Sequence, residues 1–133
     1  MINWLKVRAN SFGYAFQGFR VFFTSEVHGR IHAIAGIIAV VMGLIFKVPK
    51  YDWLWLFSAI TFVISSEIFN SSIEVLVDMV SPEKSDAAGK AKDMAAAAVV
   101  VAAIYAMLVG LWVFGPTIYS YLKLPTTLKH LNI

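Results

Sequence analysis

The sequence predicts an all-α integral-membrane fold, with three transmembrane helices preceded by an amphipathic interfacial helix. Three observations carry this reading. Hydrophobic residues make up 59% of the 133-residue chain and charged residues 14%, whereas soluble domains sit near about 45–50% and about 25%. A soluble chain this small could not hide so much apolar side chain, because small domains bury only a modest fraction of their surface. Three apolar stretches approach or exceed the roughly 20 residues that a helix needs to cross a bilayer. The mean hydropathy of +0.74 also excludes disorder, which requires low hydrophobicity. The length allows one domain, read as 1–122 with a polar tail at 123–133. Cysteine is absent, so disulfides, thiolate metal sites and cysteine nucleophiles are excluded. No nucleic-acid partner is expected.

The first element, 1–29, interleaves Trp4, Leu5, Phe12, Phe16, Phe19, Phe22 and Phe23 with Lys6, Arg8, Asn10, Gln17 and Arg20. An apolar face opposite a cationic, polar face suits a helix lying in the membrane interface. The same face would equally serve a helix packed on the bundle, and both can hold at once. It does not read as a secretory signal, because polar residues interrupt its apolar run.

The spans follow in order. The first is placed at 31–48, its apolar run from Ile31 to Phe46 bounded by Arg30 and Lys47, with His32 near its start. The second is placed at 53–80, uncharged from Trp53 to Ser66 and then continuing in helical register through Glu67, Asn70 and Glu74. The short 47–52 loop makes these two an antiparallel hairpin. The third is placed at 94–116, with Gly115-Pro116 expected to break it. Between spans two and three lies an 81–93 loop, in which Ser81-Pro82-Glu83 reads as a helix start with proline at the first position. Alanines from Ala95 to Ala106 permit close helix approach.

Basic residues set the orientation. Lys6, Arg8, Arg20, Arg30, Lys84, Lys90 and Lys92 fall on one side; Lys47, Lys50, Lys123 and Lys129 fall on the other. Seven against four places the N-terminus and the 81–93 loop in the cytoplasm. Trp53 and Trp55 then sit at the outer interface, where aromatic belts occur.

The residues that conflict with a plain membrane helix are Glu67, Asn70, Glu74 and Asp78. Their spacings of three, four and four place them within about 80° of one helix face. Acids near membrane depth are costly and usually face a bundle interior, a cavity or an ion. A divalent cation would relieve their mutual repulsion, because hard cations prefer carboxylate oxygen. The bland alternative is a helix emerging into water. That suits Asp78 near the loop, but not Glu67, which follows Ile60 to Ile64 and is flanked by Ile68, Phe69 and Ile73. Glu26 lies just ahead of span one, within reach of the face that carries Glu74. Lys92, three residues after Gly89, could reach a phosphate or could be an ordinary positive-inside flank. His28, His32 and His130 lack metal-ligand spacing. There is no G-x-x-x-x-G-K-[ST] loop, no kinase catalytic-loop sequence and no G-x-S-x-G elbow.

The run Ser66-Glu67-Ile68-Phe69-Asn70-Ser71-Ser72-Ile73-Glu74-Val75-Leu76-Val77-Asp78 resembles the E-x-x-N-[ST]-[AS]-I-E-x-x-x-D signature of the small prokaryotic diacylglycerol kinase family. Gly89-Lys90-Ala91-Lys92-Asp93, followed by small residues and valine, resembles that family's second block. Ser11 through Gly18, and Glu26 through Arg30-Ile31-His32, are similar to it as well, and more so to its undecaprenol kinase branch. The resemblance spans about residues 10–110. It implies an integral-membrane homotrimer of the bacterial inner membrane, with sites between subunits at the cytoplasmic interface. It implies transfer of the ATP γ-phosphoryl group to the hydroxyl of a membrane lipid alcohol, undecaprenol or diacylglycerol. By position it makes Glu67 the general base and Asn70 a group orienting Glu67 or substrate. Glu26 and Glu74 become ligands of Mg²⁺ or another divalent cation on ATP, and Lys92 and Asp93 become nucleotide contacts. Tyr14 joins the ATP site, while Gly18, Arg20 and Asp78 border it. Gly29 departs from the pattern, standing where an aromatic is common. The physics agrees: phosphoryl transfer needs positioning and charge neutralisation, and a third carboxylate can take the hydroxyl proton.

Two other functions compete: a cation-conducting bundle using the acidic stripe as its path, and a structural bundle whose acids only cap a helix. Lys92-Asp93 and Glu26 discriminate against the first, because a cation path has no need of them. The second predicts that Glu67→Gln changes no activity.

Overall fold

Residues 2–83 and 85–123 are described by a computed structural model, except for the side chains of residues 2–6 and 9. Lys84, the tail from 124 on with Lys129 and His130, and the side chains of Trp4, Leu5 and Lys6 therefore lie outside the described residues. Within these limits the chain is four helices with no strand: α1 (Ile2–Ser25), α2 (Val27–Ile45), α3 (Asp52–Val80) and α4 (Asp86–Lys123). The last three are each long and apolar enough to cross a membrane. Large apolar side chains such as Ile34, Ile37, Leu108, Leu111 and Trp112 are exposed on them. Such surface is at home in hydrocarbon, where lipid takes the place of water.

The α2–α3 hairpin closes on a helix-terminating turn that the chain specifies locally. The amide of Val48 donates to the Gly43 carbonyl at 3.1 Å and that of Lys47 to Leu44 at 3.2 Å. This is the paired 6→1 and 5→2 pattern of a Schellman motif. Its left-handed position falls on Lys47, with φ 50, where glycine is usual. Val48 is buried beneath the turn, and Pro49 prevents α2 from continuing.

Glycines let α2 approach its neighbours. Gly29, Gly36 and Gly43 are its buried residues, seven apart and therefore near one line of the helix. A Cβ on Gly36 would sit 3.2 Å from Ile60 Cγ2, and one on Gly43 would sit 2.9 Å from Trp53 Cη2. One on Gly29 would meet the Phe22 ring at 2.5 Å. The aromatic that Gly29 lacks is thus supplied by α1, whose Phe22 is buried in that space.

The α3–α4 pair is the most extensive contact of the bundle. Val48, Leu56, Ala59, Val109, Val113 and Phe114 form one core cluster, with Trp53, Ile60, Tyr105 and Ala106 packed against it. The Ser58 and Tyr105 hydroxyls add a hydrogen bond at 2.9 Å between the two helices. This core lies at the hairpin end, away from Glu67 to Asp78.

Three expectations about boundaries change. α4 does not break at Gly115-Pro116 but runs through Pro116 to Lys123. Proline removes one backbone hydrogen bond, and membrane helices tolerate that loss. The helix after the second span starts at Asp86, not at Ser81-Pro82-Glu83. Ser85 is its N-cap, its hydroxyl accepting from the Ala88 amide at 3.2 Å, as capping residues do. The connection between α3 and α4 therefore shrinks from 81–93 to 81–85.

Candidate functional site

Leu56, Ala59, Val63 and Glu67 are the buried residues of α3. They are three, four and four apart, so Glu67 stands on the line that builds the core. Asn70, Glu74 and Asp78 continue that line with the same spacing. Among the described residues Glu67 is the one buried charged side chain, 5% exposed. An isolated buried carboxylate would be very costly, and His32 of α2 meets it, with Nε2 2.9 Å from Oε1.

The other two acids each have a different partner. Asn70 Nδ2 donates to Glu74 Oε1 at 3.0 Å. Asn70 therefore holds Glu74, whereas its expected partner was Glu67 or substrate. Its own carbonyl oxygen, Oδ1, is buried with no hydrogen-bond partner among the described residues. Asp78 accepts from Lys92 Nζ across the α3–α4 turn. Lys92 thus bridges the helices in addition to facing a cleft of about 710 Å³ at the α3–α4 turn, which Asp78, Ser81, Gly89, Lys90 and Asp93 also line.

A second groove, of about 510 Å³, runs between α1 and α3. Tyr14, Gly18 and Glu26 line it from the N-terminal side, opposite Ile68, Ser71 and Ser72. Three residues that were distant in the sequence-based site are so brought to one face of α3. Arg20 is exposed on α1 and is not part of this lining. Glu26 is the single residue between α1 and α2, in extended conformation with φ −92 and ψ 121, and its side chain makes no cap bond. The chain turns from one helix to the next at this residue.

Among the described residues no three His, Asp or Glu side chains form a metal-holding group. The groove that Glu26 lines does not include Glu74, so the two expected cation ligands are not brought together within this chain; their donor type alone suits a hard cation shared with phosphate. Glu74 spends one carboxylate oxygen on Asn70, and the Glu26 carboxylate is not engaged as a cap. Two carboxylates with phosphate oxygens completing the shell are a usual arrangement for Mg²⁺.

Sequence reasoning missed His32 as a partner, having weighed it only as a metal ligand. A signal was present. His32 lies seventeen residues before Pro49 and Glu67 eighteen after it. In an antiparallel hairpin that counting places the two at one depth.

The model of the prokaryotic diacylglycerol kinase family matches residues 13–114. The diacylglycerol kinase of Escherichia coli (strain K12) is 35% identical over 96 residues, covering 72% of this chain and 79% of that protein. The undecaprenol kinase of Bacillus subtilis (strain 168) is 31% identical over 106 residues, covering 80% of this chain and 86% of that protein. A diacylglycerol kinase of Haemophilus influenzae is 28% identical over 93 residues.

Proposed function

The chain belongs to the prokaryotic diacylglycerol kinase family, and from that premise we propose how its own residues carry out lipid phosphorylation. It is a membrane-embedded lipid kinase with ATP as co-substrate. The acceptor is undecaprenol or diacylglycerol, and the similarity of Arg30-Ile31-His32 to the undecaprenol branch inclines the reading toward the former. The observation that carries the mechanism is the buried carboxylate of Glu67 at the head of the acidic line. Apolar residues lie on one side of it and the polar, lysine-bearing end of the bundle on the other.

In this reading the lipid hydroxyl reaches Glu67 from the bilayer, while ATP stays at the aqueous end. Glu67 accepts the hydroxyl proton as the lipid oxygen bonds to the γ-phosphorus. The bond from that phosphorus to the bridging oxygen of ADP breaks in line, and ADP leaves. Glu26 and Glu74 hold a divalent cation, which supplies charge neutralisation at the phosphates when bound. Asn70 fixes Glu74 for that task, and Lys92 with Asp93 meets the nucleotide at the cleft. Tyr14 and Gly18 border ATP from α1, and Arg20 extends that border. Asp78 keeps Lys92 in place. The subunits form a homotrimer in the inner membrane of a bacterium, α1 lying in the interface and the α3–α4 turn facing the cytoplasm. That each acid of the line has its own partner favours this over an open cation path.

The test is Mg²⁺-dependent transfer of phosphate from ATP in detergent micelles, with diacylglycerol and undecaprenol assayed side by side. The control is Glu74→Ala. Turnover on one lipid, lost in the control, is expected and names the acceptor. A folded oligomer inert toward both would refute these acceptors, and turnover untouched in Glu74→Ala would refute the metal assignment.

A further inference from the structure

Glu67 has two carboxylate oxygens in different situations. Oε1 lies 2.9 Å from His32 Nε2. Oε2 has no hydrogen bond among the described residues, yet it is not sealed from its surroundings as Asn70 Oδ1 is. The ring that holds Oε1 is itself 27% exposed at its side chain, against 6% for Glu67. Beyond Glu67 the ring lines a narrow apolar groove of about 150 Å³ with Gly36, Ile60, Val63 and Ala106. That lining is mostly apolar, and a polar contact in low-dielectric surroundings is stronger than the same contact in water.

We infer that His32 is a positioning residue for the proton-accepting step: it pins Oε1 of Glu67 and leaves Oε2 as the oxygen presented to the acceptor hydroxyl. The inference rests on the reading of Glu67 as the base and extends the working group onto α2. A carboxylate on a three-torsion side chain has rotational freedom, and a base serves only when it lies within hydrogen-bond reach of the proton it takes. Pinning one oxygen from a neighbouring helix removes that freedom. The hairpin supplies the register, since Gly36 and Gly43 bring α2 close enough to α3 for a side chain as short as histidine to span the gap. His32 touches neither ATP nor the phosphoryl group, so its removal acts on turnover through Glu67.

The purified full chain in micelles, with Mg²⁺, ATP and whichever lipid it phosphorylates, provides the test. The variants are His32→Leu, which keeps bulk and loses the donor, His32→Gln, which keeps a neutral donor, Glu67→Gln, and the double His32→Leu/Glu67→Gln. His32→Leu is expected to lower kcat by about 10- to 100-fold, the scale on which misplacing a catalytic group acts. The KM for ATP should stay unchanged; the unfolding midpoint should fall in His32→Leu, which leaves the buried Glu67 carboxylate unpaired, and hold in His32→Gln. His32→Gln should recover most of the lost kcat. The double variant should be no slower than Glu67→Gln, because residues acting as a unit are non-additive.

Unchanged kcat in His32→Leu would overturn the inference, as would His32→Gln proving as slow as His32→Leu. A parallel fall of kcat and unfolding midpoint in both single variants would reduce His32 to a helix staple and overturn it as well. Glu67→Gln separates the two levels. If that variant turns over normally, the base assignment itself fails and takes His32 with it. If it is inactive while His32→Leu is not, only His32 is wrong.

Discussion

The two halves of α3 share one line and differ in everything that line does. From Leu56 to Val63 it is apolar, buried and keyed into α2 and α4. From Glu67 to Asp78 it is acidic, and each polar side chain is held by one specific donor or acceptor. The spacing is the same in both halves, so geometry does not distinguish them. The difference is in how a partner is satisfied. In the first half any well-shaped apolar surface serves, whereas in the second each acid needs a particular group at hydrogen-bond distance. Substitutions in the first half should register as stability, and in the second as turnover.

The largest expected effect is at the junction. Glu67→Gln keeps size and hydrogen-bonding capacity but cannot take a proton. It should lower kcat by about 10²–10⁴-fold, the range for a general base, with ATP affinity and unfolding midpoint preserved. Nucleotide titration beside a turnover assay measures both. Loss of ATP binding would show that the junction belongs to the packing half.

Leu56→Ala should behave inversely. Leu56 is 3% exposed, and the cavity left by truncation costs about 2–5 kcal/mol in well-packed cores. Denaturant unfolding in micelles should show a loss near the lower end, while kcat per folded protein stays within about twofold. A selective fall in kcat would break the comparison.

The smallest effect should come at the far end of the acidic half. Asp78 and Lys92 pair with side-chain exposures of 67% and 37%, and solvent-exposed pairs contribute at most about 1 kcal/mol. Asp78→Asn should shift the unfolding midpoint little and raise the KM for ATP a few-fold, through a less well-held Lys92. An effect as large as that of Glu67→Gln would place the chemistry at the loop rather than at the junction.

Much of this was legible in the chain. The three apolar runs specify the three long helices, and the three-four-four spacing places the acids on one face before any packing is considered. Which partner each acid takes was not visible along α3, because a donor on another helix leaves no trace in the periodicity of this one. His32 could have been found by counting back from Pro49. Asn70 holding Glu74 could not, since amide and acid at four residues' separation fit several pairings. The helix boundaries failed for a local reason. Proline signals a stop in water, where a broken backbone hydrogen bond finds a solvent partner. α4 instead continues through Pro116 within a hydrophobic run. At its other end the cap on Ser85 outweighed the proline at 82. Gly29 was read as a departure from the family's pattern, because the Phe22 ring that fills its space lies across a helix corner.

One consequence follows from the continuity of α4. Lys92 and Lys123 stand thirty-one residues apart on an unbroken helix, about 46 Å at a rise of 1.5 Å per residue. A bilayer measures about 40–45 Å from headgroup to headgroup. The helix is therefore a rigid gauge with a cation near each end, matched to the thickness of the membrane that holds it. A thinner bilayer must tilt the gauge, and a thicker one must deform around it. In the proposed mechanism both would shift the level at which the Glu67 carboxylate meets a lipid hydroxyl that is itself tethered to the surface. The elasticity of the host membrane would thereby become one of the variables on which the proposed reaction depends, alongside the residues that perform it.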